Sequence, residues 1–197
     1  MKKKILIPIF VILVLAVAGG GFFWWWQGRE IKGSPEDYVI KETEEGKFVE
    51  NKKAGLTVKV PEGWEAEKME VEEGFVVLYP LYAPFERQNG RIKLPLEDGC
   101  IIDVGVVYEK MDFTDIKIDI RYTLSVLGIN SHEFEEIIIN DYSALKNIFD
   151  TQKIGPGIGI NIPYKNRTHS FYLYWSPDKR ETCIQEFDKF LETILIK

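Results

Sequence analysis

The segment Ile5–Trp26, ILIPIFVILVLAVAGGGFFWWW, carries no charged residue across 22 positions, and all 31 acidic residues of the 197-residue chain lie beyond it. A helix of that length spans roughly 33 Å at about 1.5 Å per residue, enough for the hydrocarbon core of a bilayer. No second long apolar run follows, which excludes a polytopic membrane protein. Lys2, Lys3 and Lys4 precede the run, and the positive-inside bias assigns them to the cytoplasm. Phe22, Phe23, Trp24, Trp25 and Trp26 close it with rings of the kind enriched at the headgroup level. Residues 1–26 are therefore expected to be cytoplasmic lysines followed by a single transmembrane anchor. The competing reading is a signal peptide cleaved after Ala18, since Ala16-Val17-Ala18 fits the small-residue cleavage pattern. Continuation of the apolar character through Trp26 favours the retained anchor. Both readings place the remainder outside the cytoplasm. No Cys stands directly after the apolar core to take a lipid, and no Glu stands near its start as in a type IV pilin.

Charge sharpens the division. Residues 27–197 carry 22 basic and 31 acidic groups, a net charge of −9. Such a domain repels polyphosphate and anionic headgroups, so nucleic acid is excluded as an expected partner. Cations or a basic protein surface suit it better, and solubility alone also accounts for the excess.

Residues 27–47 are polar, broken by glycines, Pro35 and the group Glu42, Glu44, Glu45, and are expected to be a spacer. The folded domain is expected over 48–197. Leu56, Val58 and Val60 alternate with Thr57 and Lys59 as in a half-buried strand, turned by Pro61-Glu62-Gly63. Trp64–Val71 and Phe75–Tyr79 read as a hairpin about Glu72-Glu73-Gly74. Tyr82–Asp98, with Pro84, Gly90 and Pro95, reads as a long loop, and Cys100–Tyr108 as a buried strand. Phe113–Leu127 fits strand and helix alike, with Thr114 as an N-cap and Gly128 beyond the end favouring helix. Strands are expected at Phe134–Asn140, Ser143–Thr151, Ile158–Pro163 and His169–Trp175. A closing helix is expected at about 177–195, with Ser176 as N-cap, Pro177 at its first position and Ile184, Phe187, Leu191, Ile194 and Leu195 as the buried stripe. The order predicts an α+β domain, an antiparallel sheet with helices packed on it.

Ala54–Trp64, AGLTVKVPEGW, resembles the opening strand, Pro and Trp of the Mog1/PsbP-like family. The aromatic strand Phe171–Trp175 and the ending Phe190-Leu191-Glu192-Thr193-Ile194-Leu195 are similar to that family's close. The resemblance covers about 48–197. It implies a small antiparallel sheet sandwiched by helices, binding of other macromolecules, and no enzyme activity. One branch of the family supports photosystem II on its lumenal side, and another binds a small GTPase.

Several residues are candidates for chemistry. Cys100 and Cys183 are the only cysteines, and two readings stand: a disulfide in an oxidising compartment, or two buried thiols acting as small hydrophobes. An external domain behind one anchor, with His132 or His169 and Cys183, also suggests a sortase-like enzyme, but no Arg follows Cys183. The glycines of Gly155-Pro156-Gly157-Ile158-Gly159 lead into Ile160–Pro163 rather than a helix, which favours a hairpin over a phosphate loop. Neither histidine has neighbours at zinc-ligand spacing, so no metal site or cofactor is expected. The carboxylates Glu65, Glu67, Glu70, Glu72, Glu73, Glu133, Glu135 and Glu136 lack EF-hand spacing and allow only weak calcium binding. Asn166-Arg167-Thr168 is formally a glycosylation acceptor, relevant only in a eukaryotic secretory route. Tyr79, Tyr82, Phe85, Tyr172 and Tyr174 are candidates for core packing or an interaction surface. The expected function is a non-catalytic, membrane-tethered extracytoplasmic module that binds or supports another envelope protein. A sortase-like enzyme using Cys183 and a cation- or solute-binding module are the alternatives.

Overall fold

The computed structural model describes residues 33–69, 74–83, 85–88, 91–126 and 133–197. Ile5–Trp26, His132, Glu70, Glu72 and Glu73 lie outside the described residues. Among the described residues no helix is long and apolar enough to cross a membrane.

Thirteen strands and two helices are described. After a one-turn 3-10 helix at Pro35–Asp37 come β1 (Tyr38–Thr43), β2 (Gly46–Asn51), β3 (Leu56–Lys59), β4 (Trp64–Met69) and β5 (Phe75–Pro80). Two short strands, β6 (Arg87–Gln88) and β7 (Arg91–Ile92), pair with each other inside the expected loop. Then follow β8 (Cys100–Val107), α1 (Phe113–Val126), β9 (Glu133–Ile139), β10 (Tyr142–Thr151), β11 (Gly155–Tyr164), β12 (Arg167–Trp175), α2 (Arg180–Leu191) and β13 (Leu195–Ile196). Two larger antiparallel sheets result, one in the order β1-β2-β3-β13 and one in the order β4-β5-β8-β12-β11-β10-β9. The architecture is α+β, with two sheets rather than the single sheet expected.

Strand alternation divides the core. Ile102, Val104, Ile160, Phe171 and Leu173 of the larger sheet join Val49, Leu56 and Val58 of the smaller sheet and Phe187 and Phe190 of α2 in one cluster. The opposite face of the larger sheet packs against Ile116, Ile120 and Leu124 of α1 and, at its other end, against the segment bearing Leu94 and Leu96. Spacing of four along α1 places those three residues on one side. Ile118, Tyr122 and Val126 are exposed on the same helix.

Several boundaries depart from expectation. Within the expected spacer 27–47, Tyr38–Thr43 forms β1 and pairs along its whole length with β2. Buried Tyr38, its partner Asn51 and Val49 suffice for an edge hairpin whose other side chains are half-buried or exposed. Asp112, not Thr114, caps α1. Its Oδ1 accepts from the backbone N–H of Thr114 and Asp115 at 2.7 and 2.9 Å, and Asp115 accepts in return from the N–H of Asp112. Those donors hold the Asp112 carboxyl below its ordinary pKa. The closing helix starts later and ends sooner than expected, with Lys179 at its N-cap position. Ser176 is buried instead, its hydroxyl donating to Asp178.

The buried stripe of α2 is Cys183, Phe187 and Phe190, continued past the helix by Ile194, whereas Ile184 and Leu191 are half-buried and Leu195 is exposed. The stripe is rotated because Cys183 is joined to Cys100 of β8, across 83 residues of sequence and 5.9 Å between Cα atoms. Beyond α2 the chain is clasped from outside. Asn140 donates from its side-chain amide to the carbonyls of Leu191, Glu192 and Ile194 at 3.0–3.1 Å, which satisfies carbonyls a helix end leaves orphaned. The Tyr142 hydroxyl donates to the Ile196 carbonyl at 2.8 Å.

Two outcomes follow from this packing. Phe187→Ala should lower stability by about 3–5 kcal/mol and Leu191→Ala by less, as urea titrations of the two variants would measure. His169 is fully buried in the inter-sheet layer at the register of Val106 and Ile162, and neither ring nitrogen has a hydrogen-bond partner. Burial, and then the neighbouring Arg167 charge, lowers its pKa from 6.5 to about 4. The unfolded chain takes up the proton first, so the stability from a neutral His169 is present above about pH 6.5 and lost as the pH falls toward 4. His169→Leu should weaken that acid-side loss in urea midpoints compared between about pH 7 and pH 4.5. An unchanged slope would contradict the assignment.

Candidate functional site

On the α1 face of the larger sheet, strand pairing lays out two adjacent cross-strand rows. The first runs Val77, Asp103, Tyr172, Gly159, Asn147 across β5, β8, β12, β11 and β10. The second runs Phe75, Gly105, Ser170, Asn161, Leu145 across the same strands. Where these rows pass under the first half of α1 they form the floor of a cleft of about 250 Å³. Asp119, Ile116 and Ile120 of α1 line its other side.

The floor is polar, unlike the sheet's other face. The Ser170 hydroxyl donates to Asn161 Oδ1 at 2.8 Å, and the Tyr172 hydroxyl reaches the same oxygen at 3.4 Å. Two donors on that oxygen fix the amide's orientation. Asn161 Nδ2 is left buried with no partner. Thr168 Oγ1 and Asp103 Oδ1, which also line the cleft, are buried and without partners too. Asn161 and Thr168 are 3 % and 2 % exposed.

Electrostatics follow from that burial. Removal from water pushes the Asp103 carboxyl up from 3.8 to about 8, so it holds its proton at neutral pH. Burial likewise raises the Tyr172 hydroxyl to about 12, with the charges of Asp119 and Asp103 adding to the shift. Tyr174, one position further along this face, is raised by burial and then by Asp103.

Two glycines of β11 seat aromatic rings on this face. A Cβ on Gly159 would lie 2.3 Å from Asn147 Oδ1 and 2.6 Å from the Tyr172 ring, so the bare backbone lets that ring lie across β11. A Cβ on Gly157 would meet the Phe149 ring at 2.3 Å. The glycines of 155–159 thus belong to a strand that seats aromatic rings.

Of the candidates the sequence offers, Tyr172 lines the cleft and Gly159 lies beside it, whereas the cysteines and His169 lie elsewhere. Cys100 and Cys183 are bonded to each other on the inter-sheet side, each 1 % exposed. His169 pairs with Val106 while Cys100 pairs with Trp175. The six strand positions between them correspond to roughly 20 Å, so the ring stands far from the sulfur that a sortase-like reaction would use. Glu65 pairs with Lys47, Glu135 with Lys146 and Glu136 with Lys117. Among the described residues no group of three His, Cys, Asp or Glu could hold a metal ion. Tyr79 packs edge-on against Phe85 at 4.9 Å, Tyr172 and Tyr174 pack beneath α1, and Tyr82 is exposed.

No family model and no curated protein matches the chain. It is similar to the solution structure of cyanobacterial PsbP (CyanoP) from Synechocystis sp. PCC 6803, at 12 % identity over 82 % of this chain and 93 % of that one, with a TM-score of 0.48.

Sequence reasoning passed over Asp103 and Asn161. The available signal was a lone carboxylate inside the apolar strand CIIDVGVV and a lone amide inside GIGINIP. Asp103→Asn tests the site's electrostatics. Between about pH 4 and pH 8 the unfolded Asp103 is ionised while the folded one keeps its proton, so this group makes stability fall as pH rises, and the loss levels off above about 8. The variant should be more stable than the parent at the alkaline end of the window and should flatten the decline, read from urea midpoints across it.

Proposed function

We propose that this chain is a single-pass, membrane-tethered extracytoplasmic module of the cell envelope, a PsbP-like domain behind an uncleaved anchor. It binds or supports another envelope component and is not an enzyme. Lys2–Lys4 stay in the cytoplasm, Ile5–Trp26 crosses the bilayer, and 27–197 stands outside.

The bond between Cys100 and Cys183 carries this reading. Structural disulfides persist in oxidising compartments and are rare in the cytosol. It also removes the free thiol that a Cys183 enzyme needs, since the nucleophile is the thiolate. The uncharged run with lysines before it and tryptophans at its end supplies the membrane half of the argument.

Extraction from native membranes with thiols blocked, followed by intact-mass measurement, should give an N-terminus ahead of Ile5 and an oxidised cysteine pair. An N-terminus at Gly19 would sink the anchor, and two free thiols would sink the extracytoplasmic placement. Cys183→Ala should cost about 2–5 kcal/mol of stability and leave capture of the envelope partner by crosslinking intact. A well-folded Cys183→Ala protein with an outright null phenotype would instead point to the enzyme.

A further inference from the structure

The cleft beneath α1 holds polar groups that the fold does not use. Packing alone would favour apolar side chains at this position, because a buried polar atom without a partner costs about 1–3 kcal/mol. Here three such atoms from three strands line one cavity: Asp103 Oδ1, Asn161 Nδ2 and Thr168 Oγ1. Gly105, between Asp103 and Val107 on β8, leaves the floor open, since a Cβ there would meet nothing closer than 3.9 Å.

Their chemistry selects a ligand. Asp103 and Asp119 offer carboxyl oxygens from the floor and from α1, while Asn161 Nδ2 and the Thr168 hydroxyl can donate. The complementary molecule has a positively charged donor at one end and an acceptor oxygen nearby. A calcium ion fits worse, because it wants six to eight oxygens, and Asn161 Oδ1 already accepts from Ser170 and Tyr172. About 250 Å³ admits a molecule of a few heavy atoms.

We propose that this cleft binds a small soluble primary amine, its ammonium held between Asp103 and Asp119 and its adjoining oxygen facing Asn161 and Thr168. The inference is independent of the anchor and of the envelope partner. Titratable groups facing Asp103 are Asp119 from α1 and Tyr172 and Tyr174 from β12, while β5 contributes Phe75 and Val77. With its carboxyl neutral in the empty cleft, Asp103 gives its proton to the buffer when the ammonium arrives, leaving a carboxylate paired with the cation.

Calorimetric titration of the full chain in nonionic detergent at about pH 7, with ethanolamine as the probe, tests this. Saturable binding is expected, with release of about one proton seen as a dependence of the heat on the buffer's ionisation enthalpy. Asp103→Asn should weaken binding about tenfold or more and abolish the proton release. Asp119→Asn, an exposed position on α1 that leaves the core untouched, should weaken binding by a smaller factor and decides the matter if Asp103→Asn fails to fold. Tetramethylammonium, which has no N–H, and calcium chloride should give no saturable heat. The proposal is overturned by no saturable heat from millimolar ethanolamine, by equal binding of tetramethylammonium, by calcium binding in ethanolamine's place, or by undiminished binding in both variants.

Discussion

Strand β12 lies between β8 and β11, and its side chains alternate between two layers of different chemistry. Phe171, Leu173 and Trp175 point with His169 into the space shared with the smaller sheet and α2. Thr168, Ser170, Tyr172 and Tyr174 point the other way, toward α1 and the cleft. The strand period of two enforces this division, because a slip of one residue would exchange the two sets. β8 repeats the pattern with Ile102 and Val104 on one side and Asp103 and Gly105 on the other. Apolar burial on both faces, largest in the inter-sheet layer, surrounds the polar cleft. That burial, at about 25 cal/mol per Å² of apolar surface, supports the unsatisfied polar atoms of the cleft.

The apolar face is also the better fastened one. α2 is bonded to β8 through Cys100 and Cys183, the carbonyls after it are held by Asn140, and the strand that follows pairs with β3. Gly55 sits at φ +66° where a Cβ would fall 2.5 Å from the Lys197 carbonyl oxygen, so this last pairing is close enough to demand glycine. α1 has no covalent tie. Its fastenings are three buried apolar side chains, an ion pair from Lys117 to Glu136 and the Arg121 guanidinium over the Phe134 ring. Exposed pairs of this kind contribute little. Of the two helices, the one covering the cleft is thus held by weaker means, which suits a wall past which a ligand enters.

Much of the larger sheet was legible because its strands alternate cleanly or run apolar without interruption, as in Cys100–Val107 and Arg167–Trp175. β1 was not, because YVIKET has one buried side chain and its remaining residues are those of a solvated spacer. Its pairing comes from β2, a tertiary cause that local composition does not reveal. The orientation of α2 is likewise not set by local sequence. Helical spacing admits a stripe through Leu191 or through Phe190, and the bond at Cys183 selects the second. The cleft was illegible because its floor comes from single residues on separate strands. Asp103, Tyr172 and Gly159 become neighbours only once the order β8-β12-β11 is known.

His169 and Asp103 titrate on opposite faces of one sheet, and their linkages run in opposite senses. Below about pH 6.5 the unfolded chain binds a proton that folded His169 refuses until about 4, so this group makes stability rise with pH. From about 3.8 to about 8 folded Asp103 keeps a proton that the unfolded chain releases, so stability falls with pH. Where the windows overlap, each contributes up to one proton of opposite sign and the two slopes oppose each other. Above about 6.5 the histidine is silent in both states, leaving Asp103 alone of the two until about 8. A cation in the cleft that ionises Asp103 lowers its folded pKa and removes that remaining slope. The neutral-to-alkaline limb therefore reports on the cleft, and the acid limb mixes it with the inter-sheet core on the other side of β12.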